Sequence, residues 1–219
     1  LIIVPSIIRF RELFVDWCPK YFVSSFIRNC LFKGNKVIEI PYEWFNPKEI
    51  TCYESKKRKS DEIVLLYGGR FSTSKNIEFM LDFYDYAVSL GKKMRMVICS
   101  IGALAVGTLN KRLSKYVSSN RVEIIPDCSQ DLFYKKISEA DIAVCASVYE
   151  SVGRAWLEKV YGGVIVFIPH PDSNGIENKW SSVFFPSWYP YFYNYNSDSH
   201  VAMTSLYAKF LEVCDNIEE

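Results

Sequence analysis

Five short apolar runs rich in β-branched residues, separated by segments with helical periodicity, constrain the fold of this chain more than any other feature. Each run is almost continuously hydrophobic, which is typical of strands that are covered on both faces. The sequence therefore predicts a sheet buried between layers of helix. The runs span residues 63–67, 95–100, 122–126, 142–147 and 164–168.

Helical patterns occupy gaps between these runs. The clearest covers residues 76–90, which carry one apolar stripe and stop at Gly91. Residues 131–140 form a second pattern, for which Ser129 is a candidate N-cap, and residues 154–161 form a third. Strands and helices that alternate at this spacing predict βαβ units, and hence an α/β fold with a doubly wound, Rossmann-like parallel sheet.

Three segments lie outside this pattern. The polar stretch 46–60 contains a basic tetrad at 56–59, which is typical of a nuclear signal or a phosphate patch. A solvated linker is the favoured interpretation, because the stretch lies between Pro47 and a buried strand. The aromatic run 184–193 fits a stacking surface or interface as well as a loop folded back over the core. Residues 201–214 have the pattern of a last helix.

Charge and cysteine content argue against several classes of function. With 26 basic and 25 acidic residues the net charge is +1, so no global field attracts nucleic acid or an anionic membrane. The seven cysteines include no C-x-x-C pair, which favours free thiols in a reducing compartment over a disulfide scaffold or a zinc site. No run approaches the ~20 apolar residues of a membrane span, and no signal peptide is recognisable. We expect a cytoplasmic chain, with peripheral membrane contact left open.

Glycines and basic side chains follow the first apolar run, at the sheet edge where α/β folds bind ligands. Gly68 and Gly69 let the backbone approach a ligand closely, and the next helix offers unpaired N–H groups at its start. Arg70 and Lys75 add two cations to the same loop. This combination indicates a site for an anionic diphosphate, the alternative being a pair of solvated surface cations. It is neither a Walker P-loop nor a dinucleotide-binding G-x-G-x-x-G motif.

Two carboxylates flank the start of the third helical pattern. Glu150 precedes the helix, Glu158 lies about two turns into it, and Gly153 separates them. A carboxylate beside a helix N-terminus is stabilised and accepts hydrogen bonds from hydroxyl groups. The pair is therefore a candidate for binding a polyol, although each residue alone has a structural alternative. Glu150 would then be a capping carboxylate, and Glu158 a solvated residue of the helix face.

Together these motifs resemble the C-terminal, donor-binding half of the retaining GT-B glycosyltransferases, especially glycosyltransferase family 4. Gly69 and Arg70, with Lys75 five residues after the arginine, match the family's Gly-Arg…Lys pattern. Glu150 and Glu158 match its E-x7-E motif with an internal glycine. The order and spacing of these motifs make the resemblance fairly specific.

The resemblance is strongest in the middle of the chain and looser upstream, and it divides the chain into four parts. Residues 61–200 would form the nucleotide-sugar donor-binding domain, preceded by the linker 46–60. Residues 1–45 would be the end of an N-terminal acceptor domain with the interdomain crossing, and residues 201–219 a C-terminal helix. A longer chain would then supply the acceptor domain.

The resemblance also implies an activity, which is transfer of a hexosyl group from a UDP- or GDP-sugar to an acceptor hydroxyl with retention of configuration. Arg70 and Lys75 would bind and stabilise the departing diphosphate, and Glu150 would contact the transferred sugar. Neither a cofactor nor a metal is expected, because the cations and the helix dipole would stabilise the developing charge. The resemblance also implies that the nucleotide base lies near residues 125–126 and that the ribose is bound by residue 158. The full set of implied donor-binding residues is Gly69, Ile125, Pro126, Val152, Gly153, Arg154 and Glu158.

Four positions depart from the family pattern without removing a charged contact. Asn76 stands where a glycine usually follows the lysine, and Val152 replaces a common aromatic residue. Lys159 stands where an alanine usually follows the second glutamate, and Ile165 occupies a position that is usually proline.

Other functions remain as alternatives. The chief one is a non-catalytic sugar-nucleotide-binding module or partner subunit. A different enzyme on the same fold, such as an epimerase or phosphorylase, is disfavoured by the combination of two cations and two carboxylates. Nucleic-acid binding through the basic tetrad is the least favoured of the alternatives. The sequence leaves open the donor base and sugar, as well as the acceptor, which is a glycan, lipid, protein or small molecule.

Overall fold

The computed structural model describes residues 62–100, 107–117, 120–148, 150, 154–176, 185, 187–196 and 198–217, together with two short strands nearer the N-terminus. Those strands, β1 (Tyr21–Phe22) and β2 (Ile38–Glu39), pair in parallel. The rest of the predicted segment 1–45, and all of the predicted linker 46–60, lie outside the described residues.

A six-stranded parallel sheet forms the centre of the fold, as the five apolar runs predict. Its strand order is β5-β4-β3-β6-β7-β8, and every neighbouring pair is parallel. The strands are β3 (Ile63–Gly69), β4 (Met94–Ser100), β5 (Val122–Ile125), β6 (Ile142–Val144), β7 (Ile165–Pro169) and β8 (Phe192–Tyr193).

Helices connect the strands and cover both faces of the sheet. Three of the four predicted helices appear within one or two residues of their expected limits, with Ser129 Oγ accepting from Leu132 N at 3.3 Å as the predicted N-cap. The last helix is longer than predicted at both ends. The helices are α1 (Ile77–Ser89), α2 (Gly107–Val117), α3 (Gln130–Ser138), α4 (Arg154–Tyr161) and α5 (Ser199–Ile217).

The core consists of two apolar layers, one on each side of the sheet. Alternate residues of a strand enter different layers, so that Leu65 packs with α1 and α5 whereas Leu66 packs with α3 and α4. On the first side, Phe83 of α1 meets Phe210 of α5 edge to face, with ring centroids 5.3 Å apart. Because both sides are covered, the strands need no polar face, which explains their continuous hydrophobicity.

In the central sheet and its covering helices, the sequence patterns missed two elements and overextended another. Helix α2 was not predicted, and strand β8 lies inside the aromatic run. Phe192 and Tyr193 of that strand are buried and Phe185 packs against the core, which agrees with a segment folded back onto the sheet, while Trp188 is exposed. Strand β6 ends at residue 144, although the apolar run continues to 147. Residues 145–147 stay buried, and Cys145 N–H still donates to the Phe167 carbonyl of β7 at 2.8 Å.

Candidate functional site

The candidate site lies where the strand order reverses, between β3 and β6. Connections leave these two neighbouring strands in opposite directions, which opens a crevice at their carboxyl ends. The loops after the two strands are joined directly, because Val148 N–H donates to the Ser74 carbonyl at 3.1 Å. The fold therefore brings the two predicted motifs into one place.

Glycine is required twice in the turn that ends β3, for two different reasons. A Cβ atom added to Gly68 would collide with the Phe133 ring of α3, because the ring occupies the space that a side chain would need. Gly69 has φ 153°, a conformation that L-residues rarely adopt. The turn is held from within, since buried Tyr67 donates its hydroxyl hydrogen to the Arg70 carbonyl at 2.8 Å.

Lys75 lies at the end of a short 3-10 turn, Thr73–Lys75, which leads into α1. Its backbone N–H donates to the Ser72 carbonyl at 3.0 Å. The next residue, Asn76, is the N-cap of α1 and adopts a left-handed conformation with φ 43° and ψ 49°. That conformation accounts for the glycine usual at this position in the family, and asparagine tolerates it better than most residues.

Glu150 is buried and receives three donors on a single oxygen. Its Oε1 accepts from Lys75 Nζ at 2.5 Å, Ser147 Oγ at 2.8 Å and Trp156 Nε1 at 2.9 Å. The Glu150 side chain is 7% exposed and that of Lys75 is 22% exposed, so the cation has access to solvent whereas the carboxylate has little. The predicted diphosphate cation and the predicted sugar-binding carboxylate are therefore bound to each other.

Glu158 lies on the buried face of α4, so the alternative of a solvated residue is wrong. Its Oε1 accepts from the Tyr134 hydroxyl of α3 at 3.3 Å. Tyr134 in turn receives a hydrogen bond from Gln130 Nε2. These contacts hold α4 against α3 below the crevice.

Burial and the Glu150 charge alter the titration of their neighbours. Burial, with a further contribution from Glu150, raises the pKa of the Tyr67 hydroxyl and of the Cys145 thiol. Burial also lowers the pKa of Lys159 to about 8, against the opposing attraction of Glu158 and Glu150. Tyr67 and Cys145 are therefore neutral hydrogen-bonding groups at physiological pH.

The remaining predicted residues are spread along the same sheet edge. Arg70 is exposed beside the turn. Ile125 ends the edge strand β5, and Pro126 is exposed in the turn that follows, two strands away from β3. Arg154 is the first residue of α4. Val152 and Gly153 lie outside the described residues.

Sequence reasoning missed three side chains that build the site. Ser147 and Trp156 orient Glu150, and neither was assigned a role. Lys159 is completely buried beneath the glycine turn. Its departure from the alanine usual at that position was the one available signal, since a lysine on a helix face is ordinarily solvated.

Two kinds of feature are absent from the described part of the chain. Within it, no cluster of three or more His, Cys, Asp or Glu side chains is arranged to hold a metal ion. None of the described helices is long and apolar enough to cross a membrane.

Sequence comparison identifies the family to which these motifs belong. The model of the family described as "Glycosyl transferases group 1" matches residues 51–173, which is more than half of the chain. The chain belongs to this family. In this group 1 glycosyl transferase, the matched region contains both loops of the crevice. No curated protein sequence matches the chain.

Solved structures share the fold of this group 1 glycosyl transferase at low sequence identity. Sucrose-phosphate synthase from Thermosynechococcus elongatus has a TM-score of 0.62 and 16% identity, over 88% of this chain and 49% of the other. A TarM mutant from S. aureus, in complex with Fondaparinux, alpha-GlcNAc-glycerol and UDP, has a TM-score of 0.63 and 14% identity. The match covers 89% of this chain and 37% of the TarM chain. A glycosyltransferase from Rickettsia africae has a TM-score of 0.60 and 14% identity, over 99% of this chain and 59% of the other.

These similarities confirm the predicted Rossmann-like α/β class and its match to GT-B glycosyltransferases. The chain spans about half of the sucrose-phosphate synthase and about a third of the TarM structure.

Proposed function

We propose that this chain carries the nucleotide-sugar donor site of a retaining, family 4-like hexosyltransferase that uses a UDP- or GDP-sugar and an acceptor hydroxyl. The family assignment supports sugar transfer in general terms. The 2.5 Å contact between Lys75 and Glu150 at the strand-order reversal is the observation that carries the finer proposal. The acceptor is unidentified, and an acceptor domain from a longer chain is part of the proposal.

Lys75 is suited to binding a diphosphate while it stays paired with Glu150. An ammonium group has three donor hydrogens, of which Glu150 Oε1 uses one. The partial exposure of Lys75 leaves room for a phosphate oxygen on its solvent side. Arg70, exposed on the same loop, adds a guanidinium that can bind phosphate in a forked geometry.

In the proposed reaction the anomeric carbon of the sugar breaks its bond to the diphosphate oxygen and forms a bond to the acceptor oxygen. Both events take place on the same face, which retains the configuration. The acceptor proton passes to the departing phosphate, and Arg70 and Lys75 stabilise the charge of the diphosphate. Glu150, held by Ser147 and Trp156, orients the sugar hydroxyls, and no covalent intermediate or metal is invoked.

The other donor contacts remain part of the proposal. Gly69 would bring its backbone close to the diphosphate, and the backbone around Val152, Gly153 and Arg154 would contact sugar or phosphate. Ile125 and Pro126 would lie near the base. Glu158 would bind the ribose, for which its hydrogen bond to Tyr134 would have to be shared or exchanged.

Ligand-induced thermal stabilisation tests the donor site. UDP, GDP, UDP-glucose and GDP-mannose are titrated while the unfolding midpoint is followed, because a ligand that binds only the native state raises it. We expect one base to raise the midpoint, and its sugar nucleotide to do so as well. No shift with any of the four would contradict the proposal. Retention is then tested by assigning the anomeric configuration of the product by NMR.

Sugar-nucleotide binding without catalysis is the second candidate function. In this function the contacts of the proposed donor site would bind the sugar nucleotide without a transfer step. Binding without transfer, also when a separate acceptor domain is added, would support this alternative. Cytoplasmic location, with or without peripheral membrane contact, remains a proposal that cell fractionation would test.

A further inference from the structure

A completely buried lysine joins the two elements that form the crevice. Lys159 has no exposed surface, and its Nζ donates to the Ala155 carbonyl of α4 at 3.0 Å and to the Gly68 carbonyl of β3 at 3.4 Å. The first contact is within its own helix. The second crosses to the strand whose end forms the glycine turn.

Aromatic rings enclose the same ammonium group. Lys159 Nζ lies 4.2 Å from the centre of the Trp156 ring and 5.2 Å from that of Phe133. The Trp156 indole N–H binds Glu150 Oε1, and the Phe133 ring lies against Gly68. Lys159 therefore contacts the Gly68 carbonyl and the Phe133 ring beside the Gly-Arg turn, and also the Trp156 ring that binds Glu150.

The cost of burying an ammonium group makes a purely space-filling role a poor explanation. A methionine or leucine would fill the same apolar surroundings without desolvating a charge. The contact with Gly68, by contrast, uses the charge, because a carbonyl binds a cationic donor more strongly than a neutral one. A positive charge directly below the turn also favours an anion bound above it.

We propose that Lys159 is a positioning residue for the diphosphate-binding turn, holding the Gly68 carbonyl and the Trp156–Glu150 pair so that the turn binds an anionic donor when the lysine is protonated. This inference rests on the proposed function. It adds to the site a charge that does not touch the ligand and that titrates within an accessible pH range.

The surroundings of Lys159 determine the direction of its pH dependence. The ionisable groups on the described elements around it are Glu158 and Glu150, which attract its charge, Cys99 and Cys145, and Tyr134 of α3. Burial raises the pKa of both thiols, so they stay neutral near pH 8. Lys159 itself has a pKa of about 8, and it therefore loses its proton as the pH rises through that value.

Isothermal titration of the whole chain with UDP-glucose and GDP-mannose between pH 6.5 and 9.5 tests the inference. Sugar nucleotides are used because both phosphates are diesters, without a second proton that titrates in this range. Wild-type affinity is expected to fall about tenfold across pH 8, an effect comparable to one charge-assisted hydrogen bond. Binding at pH 8 is expected to take up protons, which is measured in buffers of different ionisation enthalpy, because the bound anion raises the pKa of Lys159.

Lys159→Met is the diagnostic variant and Lys136→Met the matched control. The first is expected to bind about tenfold more weakly at pH 7, with neither pH dependence nor proton uptake. Lys136 also lies near the sheet, on α3, but it pairs with Glu123 and Glu139 and does not contact the turn. Its variant is expected to retain the wild-type profile.

The outcomes separate this inference from the proposed function. If the wild type binds neither sugar nucleotide, the proposed donor site fails first, and this inference with it. If it binds, but its affinity is flat with pH and no proton is taken up, the role of Lys159 is overturned while the donor site stands. Should Lys159→Met not fold, the pH dependence of wild-type affinity and the proton uptake on binding decide, because both are measured without that variant.

Discussion

Lys75 and Glu150 are carried by loops that follow two different strands, yet Lys75 Nζ and Glu150 Oε1 lie 2.5 Å apart. The reversal of strand order places β3 beside β6, and the hydrogen bond from Val148 to Ser74 keeps the two loops together. The cation of one predicted motif is thus positioned by the carboxylate of the other.

Replacing Lys75 by alanine should abolish sugar transfer and weaken sugar-nucleotide binding while the fold stays intact. The cation is lost, but its side chain is at the edge of the core, and Glu150 keeps its bonds from Ser147 and Trp156. Turnover and circular dichroism measure the two effects. The control Lys209→Ala removes the same charge from a partly exposed position of α5, where it pairs with Glu212 away from the crevice. Wild-type turnover in Lys75→Ala would reject the assignment.

Glu150→Gln should also abolish transfer, and should lower the free energy of unfolding by about 1–3 kcal/mol, because its ammonium, hydroxyl and indole donors lose a charged acceptor. A double-mutant cycle with Lys75→Met, measured by urea unfolding, should give a coupling energy of about 1–2 kcal/mol. Strictly additive effects would show that the contact contributes nothing to stability.

Gly68→Ala and Gly69→Ala should both destabilise the chain by about 1–3 kcal/mol, for separable reasons. The new Cβ at Gly68 would collide with Phe133, whereas the cost at Gly69 arises from its φ of 153°. In a Phe133→Ala background, Gly68→Ala should therefore cost much less, while Gly69→Ala should cost the same as before. Urea unfolding of all combinations measures this. Equal rescue of both glycine variants would contradict the distinction.

Asn76→Gly should be more stable than Asn76→Ala by about 1 kcal/mol, although alanine is ordinarily the better helix former. The left-handed conformation of Asn76 strains alanine but not glycine. Both variants lose the hydrogen bond from Asn76 Nδ2 to the Tyr195 hydroxyl, so this loss cancels in the comparison. Thermal unfolding of the pair checks the order, which the opposite result would refute.

Lys159→Met should be more stable than the wild type near pH 7, and its advantage should shrink as the pH rises towards 10. The buried lysine gives up its proton near pH 8, whereas in the unfolded chain it does so only near pH 10.5. The native state then binds fewer protons than the unfolded state, so wild-type stability rises with pH over this window. The unfolding free energy of the wild type can rise by about 3 kcal/mol at most over this pH range. If the difference in unfolding free energy between Lys159→Met and the wild type did not change with pH, that result would argue against a buried, titrating lysine.

The sequence was informative wherever a local pattern has only one physical solution. Continuous apolar runs alternating with amphipathic segments predicted five of the six strands of the sheet and their parallel pairing. Ser129 was recognisable as a cap because its hydroxyl can reach the N–H groups of the first turn. Helix α2 and strand β8 were not predicted. Strand β8 has only two residues, and they lie in an aromatic segment whose position is determined by packing.

The residue types of the site were also predictable from the sequence, which placed two cations after one strand and two carboxylates on either side of the start of a helix. Which side chains meet was decided by the tertiary structure alone. Glu150 is bound by Lys75 because the sheet order makes β3 and β6 neighbours, and Glu158 faces Tyr134 because α4 packs on α3. The sequence marked Lys159 only as a departure from the usual alanine. The three-dimensional fold alone buries its charge beneath Gly68, because burial is a property of the packed layers and not of the local sequence.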